Sequence, residues 1–194
     1  MNERPAVSLR GVAVPGLDGS ISFDLAAGEC VVLLDGNAER RTALLQIIAG
    51  GLSPRTGTVR AGTAAAIWHN DGMPEDEPVI STVRSLLEHV GSTADPHRLL
   101  EELGLAHRAE HEPWAMSLGE RRRIAIATAF ASPVPVVVLD EPERGLDAAA
   151  LRWVAGRVQS ALKLGQVVLI ATHDAALADA CGDFIIDDLA ELAQ

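Results

Sequence analysis

Two adjacent carboxylates, Asp140 and Glu141, close an apolar run, and a third, Asp147, follows them past Pro142 and Gly145. The run itself, residues 134–139, is Val and Leu apart from Pro135. That composition belongs to a strand buried on both faces of a parallel sheet. Carboxylates at the carboxyl end of such a strand lie where open α/β sheets bind their ligands. The chemistry suited to that place is a divalent cation with a positioned water, Asp140 holding Mg²⁺ and Glu141 orienting the nucleophile. A single carboxylate there would read as a strand cap; the ordered set D-E-P-x-x-G-L-D does not.

This set resembles the Walker B and D-loop segment of an ATP-binding cassette (ABC) ATPase, with Asp147 as the D-loop aspartate. The resemblance implies a P-loop NTPase fold of α/β class, with a small antiparallel β flank and a helical subdomain at about residues 72–132. It also implies ATP and Mg²⁺ as ligands. Upstream, residues 30–34 read as a second buried strand, and a helix starting near Arg41 runs to a Gly50-Gly51 C-cap. Strand, tight loop and helix make the setting of a phosphate-binding loop.

Aligned on G-x-x-x-x-G-K-[ST], the loop departs from its pattern. Asp35 and Arg40 occupy the two glycine positions, Arg41 replaces the lysine, and Ala38 stands where ABC proteins commonly have a further glycine. Thr42 is kept as a Mg²⁺ ligand beside Asp140. The candidate nucleotide-binding set is Asp35, Gly36, Asn37, Ala38, Arg40, Arg41, Thr42 and Ala43. Arg41 can pair with phosphate through a longer fork than an ammonium. The Cβ of Arg40 crowds a close backbone approach, and Asp35 and Glu39 bring negative charge toward a polyphosphate. Weak MgATP binding is the expectation.

The remaining motifs arrive in family order. Asn70 falls at the Q-loop, with His69 as its neighbour in register. The stretch Met116-Ser117-Leu118-Gly119-Glu120 resembles the signature L-S-G-G-Q, with Ser117, Gly119 and Glu120 reaching a nucleotide in trans and Leu118 replacing a glycine. Ser117 also suits a plain helix N-cap. Arg121, Arg122 and Arg123 read as a solvated helix face. His173, delivered by an apolar strand over residues 166–172, is by resemblance the switch histidine that joins Glu141 in catalysis. The stretch from His107 to His111 fits H-x-x-E-H but is cut off by Gly104 and Pro113, and it reads as a polar turn.

The elements that position these groups follow from local patterns. Residues 7–14 and 21–25 read as short antiparallel strands, and residues 58–60 and 64–68 as two more. Ser81 is the expected N-cap of a helix through His89, and Asp95 that of a helix over residues 96–103. A long helix from Ala148 to about Lys163, a short helix and a strand over residues 183–186 complete the chain.

With 194 residues the chain suits one domain, residues 1–194, whose core is aliphatic because there is no Tyr and only three Phe and three Trp. The formal charge of −11 argues against nucleic acid as a partner. No stretch approaches the about 20 apolar residues needed to span a bilayer, and two distant cysteines suggest neither a disulfide framework nor a zinc site. The expected place is cytoplasmic, peripheral on the inner membrane face through a membrane-spanning transporter subunit. In the family two cassettes face each other; a heterodimer is set slightly ahead of a homodimer, since a partner with an intact loop would use Ser117 and Gly119. The competing reading is a pseudo-ATPase, a structural or regulatory partner of the same fold.

Overall fold

The chain, seen in a computed structural model, is described over residues 5–69, 73–74 and 76–193. Among these, five strands form a parallel sheet: Cys30–Leu33 (β3), Ala64–Ile67 (β5), Val136–Asp140 (β6), Val167–Ala171 (β7) and Phe184–Ile186 (β8), in the order β5-β6-β7-β3-β8. Strands β3, β6 and β7 lie in the middle and are buried at every position, as their unbroken apolar runs require. Alternate side chains go to opposite faces. Val31, Leu33, Val136, Val138, Val167 and Leu169 pack on one side, and Val32, Val137, Leu139, Val168 and Ile170 on the other.

The first face is covered by helix Ala38–Ile48 (α1) and by an antiparallel sheet of Val7–Val12 (β1), Ile21–Leu25 (β2) and Thr58–Ala61 (β4), in the order β2-β1-β4. The second is covered by Leu118–Phe130 (α4), Ala148–Lys163 (α5) and Ala175–Cys181 (α6). Helices Val79–His89 (α2) and Pro96–Glu102 (α3) close a third apolar cluster against α4 through Val83, Leu87, Leu100 and Ile124.

Three elements differ from the local reading. Helix α1 starts at Ala38, because the Asn37 side chain accepts the Arg40 N–H at 3.2 Å and caps the helix a turn early. Helix α2 starts at Val79 after Pro78, which places Ser81 in its first turn and leaves it no capping role. Its first amides are taken instead by distant carbonyls, Val79 N–H by His111 at 2.8 Å and Ile80 N–H by Ala109 at 2.9 Å. The H-x-x-E-H stretch thus supplies backbone acceptors that finish another helix, beginning as a 3-10 turn over Ala106–Arg108. Finally, the three arginines of α4 are not one solvated face: Arg122 is only 1% exposed.

Candidate functional site

Strand β3 ends at Leu33, and the loop that follows turns into α1 beside the carboxyl end of β6. This brings Thr42 onto Asp140: the Thr42 hydroxyl donates to Asp140 Oδ2 at 2.9 Å. Asp140 is 2% exposed, and its burial raises its pKa above the ordinary carboxylate value, opposed by the Thr42 hydrogen bond. Hard oxygen donors, one carboxylate and one hydroxyl, side by side where β6 ends and α1 begins suit Mg²⁺, which takes few protein ligands and completes its shell with phosphate and water.

The raised Asp140 pKa has a stability consequence. The folded chain holds this proton to higher pH than the unfolded chain, so the cost of burying the charge is felt above that range and vanishes as pH falls through it. Asp140→Asn, without added Mg²⁺, is therefore expected to melt above the wild type at neutral pH, the gap closing as the pH is lowered into the carboxylate range. Thermal melts followed by circular dichroism across pH check this; a variant that melts below the wild type at pH 7 would contradict it.

Glu141 has a special backbone. Its φ of 49° makes it the single non-glycine residue with positive φ among those described, a conformation that costs on the order of 1–3 kcal/mol. Its N–H donates to Ala171 of β7 at 2.8 Å, and its carbonyl accepts from Arg122 at 2.8 Å. The side chain meets Arg41, whose Nη2 lies 3.4 Å from Glu141 Oε1. Arg41 is 4% exposed, donates through Nη1 to the Asp35 carbonyl, and among the described residues its Nε has no hydrogen-bond partner. A buried guanidinium at the loop is the charge a polyphosphate would call for.

The Asp35 carboxylate is taken up by the chain's own amides. Its oxygens accept the N–H groups of Asn37 at 2.7 Å and Leu189 at 2.9 Å, tying the loop to the 3-10 turn Leu189–Leu192. Glu39 is exposed. A Cβ built at Gly36 would meet nothing within 4 Å, and one at Gly16 would meet Arg40 Cγ at 3.6 Å, so Arg40 lies over the turn after Pro15. Ala38, Thr42, Ala43, His69, Asp140 and Glu141 border a cleft of about 390 Å³. Asn70 lies outside the described residues.

His173 follows β7, whose neighbour is β6, so the turns after the two strands meet. Its Nδ1 lies 2.9 Å from Glu143 Oε1, which also accepts the His173 N–H at 3.1 Å. In the pattern D-E-P-x-x-G-L-D, Glu143 is only a spacer position. Glu143 is buried, only 9% exposed, and holds the largely exposed imidazole; the available signal is an acid in the turn facing the histidine strand.

A second cleft of about 400 Å³ is bordered by Ser117, Gly119, Glu120, Gly145, Asp147 and Trp153. Ser117 caps α4 in a reciprocal box with Glu120, its Oγ accepting Glu120 N–H at 3.2 Å and Glu120 Oε2 accepting Ser117 N–H at 2.8 Å. A Cβ at Gly119 would come within 2.4 Å of the Gly145 carbonyl, so only glycine permits this approach of the two turns. Leu118 covers Gly145 while remaining 50% exposed. Asp147 caps α5, accepting the Ala150 N–H at 2.8 Å.

Residues 19–144 match the protein family described as ABC transporter. The cytochrome c biogenesis ATP-binding export protein CcmA of Rhizobium etli is 35% identical over 172 residues, covering 79% of this chain and 80% of its own. The same-named protein of Roseobacter denitrificans is 34% identical over 171 residues, covering 86% and 82%. A solved structure described as the ATP-binding subunit of an ABC transporter superposes with a TM-score of 0.80 at 23% identity, over 93% of this chain and 85% of that one, which shows the fold.

Proposed function

Since the chain belongs to the ABC transporter family, we propose that it is the ATP-binding subunit of a membrane transporter, working at an interface between two cassettes. The observation that carries this is the pairing of Thr42 with Asp140 at 2.9 Å beside Glu141, at the carboxyl ends of the central strands. Thr42 and Asp140 would hold Mg²⁺, which supplies charge neutralisation at the phosphates. Arg41, with Arg40 behind it and the loop backbone of Gly36, Asn37 and Ala38, would bind phosphate. Glu141 would orient the attacking water, and His173, held by Glu143, would face the terminal phosphate. Ser117, Gly119 and Glu120 would reach the nucleotide of the second cassette, next to Asp147.

No helix among the described residues is long and apolar enough to cross a membrane; coupling to transport would run through a membrane-spanning subunit. The chain would sit on the cytoplasmic face of that partner. Relatives named as export proteins support export as the direction. A heterodimer fits the departures of this loop, because an intact loop on the second cassette would use the signature presented here. MgATP affinity and turnover of the purified chain, with and without its co-purified membrane subunit, test the reading. Nucleotide binding with turnover raised by the partner is the expected result, and binding without turnover would make the chain a pseudo-ATPase. Native mass spectrometry of the complex identifies the second cassette.

A further inference from the structure

Among the described residues Arg122 is the largest fully buried side chain, and its guanidinium donates to main-chain carbonyls at the carboxyl ends of two neighbouring strands. Nη1 donates to Trp68, just past β5; Nη2 donates to Asp140 and, at 2.8 Å, to Glu141. These carbonyls belong to the last residue of β6, to the left-handed residue after it, and to the residue preceding His69. The donor comes from α4, five residues past the Ser117 cap that presents the signature turn. A positive fork taking three carbonyls in one place is a strong, directional clamp. It acts on the one non-glycine residue that the described backbone holds at positive φ. Ala171 fixes the N–H of Glu141 and Arg122 its carbonyl, so the peptide planes on both sides of its Cα are held and the side-chain direction is set.

We propose that Arg122 is a positioning residue for hydrolysis: from the signature helix it fixes the backbone of Glu141, and so the aim of its carboxylate. This rests on the role proposed for Glu141 above. A guanidinium that served packing alone would have no reason to gather its acceptors around the two site carboxylates. It would also act on stability independently of Glu141.

The test compares Arg122→Gln and Arg122→Lys, alone and with Glu141→Gln, in the full chain with its co-purified partner. Arg122→Gln is expected to lower kcat about tenfold or more while the dissociation constant for MgATP changes less than about threefold. In the Glu141→Gln background the same change should add almost nothing, because the aimed group is gone. Arg122→Lys, keeping charge and fewer directed donors, should recover part of the rate. A full further loss in the Glu141→Gln background, or equal losses in affinity and rate, would overturn the proposal. Hydrogen exchange supplies a readout that needs no turnover. The Arg144 amide, which donates to the Glu141 carbonyl at 3.2 Å, should exchange faster in Arg122→Gln while β3 amides stay protected. Unchanged exchange at Arg144 would overturn the proposal as well. If the wild type binds no MgATP, the functional reading fails, and the exchange comparison still decides the role of Arg122.

Discussion

Glu141→Gln is expected to reduce ATP turnover by about a hundredfold or more, the scale of a lost general base or water-orienting group. Nucleotide affinity should hold or tighten, and the reason lies in Arg41. The buried Arg41 guanidinium is 3.4 Å from Oε1 of the half-buried Glu141. Removing the carboxylate charge weakens that ion pair and leaves Arg41 freer to meet a phosphate. A neutral amide still fills the space and can still accept a hydrogen bond, so the left-handed turn is retained. The check is single-turnover hydrolysis alongside equilibrium binding of MgATP. Unaltered turnover in the variant would remove Glu141 from the mechanism, and a loss confined to binding would make it part of the cradle.

The parts of this protein that sequence reading locates are those whose causes are local. Strands β3, β6 and β7 announce themselves because burial on both faces keeps their runs apolar, up to the carboxylate Asp140 at the end of β6. The Gly50 stop of α1 is equally legible, since its φ of 78° is a glycine conformation. What is missed depends on partners far along the chain. The N-terminus of α2 is finished by carbonyls of Ala109 and His111, which no local capping rule can anticipate. Glu143 gains its purpose only because β6 and β7 are neighbours. Arg122 was hidden by its company: three consecutive arginines suggest a wet surface, yet a helix turns about 100° per residue, so they point three ways. Its helical neighbours Ile126 and Ala129 face the core, and that periodicity was the signal available.

Motif comparison also merges two jobs in the phosphate loop that substitution can separate. Ala38→Gly, Arg40→Gly and Arg41→Lys together are expected to tighten MgATP binding about tenfold or more, each tenfold being about 1.4 kcal/mol. An ammonium at position 41 would give up the forked contacts to the Asp35 carbonyl and Glu141 and reach a phosphate as a point charge. Arg40→Gly removes a Cβ from the loop and uncovers the turn at Gly16. Adding Asp35→Gly completes the motif on paper but strips the acceptor from two amides, those of Asn37 and Leu189. Each buried donor left unpaired costs roughly 1–3 kcal/mol. With Leu189 buried and Asn37 exposed, the fourfold variant should lose roughly 1–3 kcal/mol, or about 2–12 °C in Tm for a chain of this size. The threefold variant should keep its fold and bind better; the fourfold variant should melt early, with the tail after β8 released first. Melting curves and MgATP titrations on both variants decide it. Equal stability would mean that Asp35 does not anchor the loop, and unimproved binding in the threefold variant would mean that Arg40 and Arg41 are not what limits affinity.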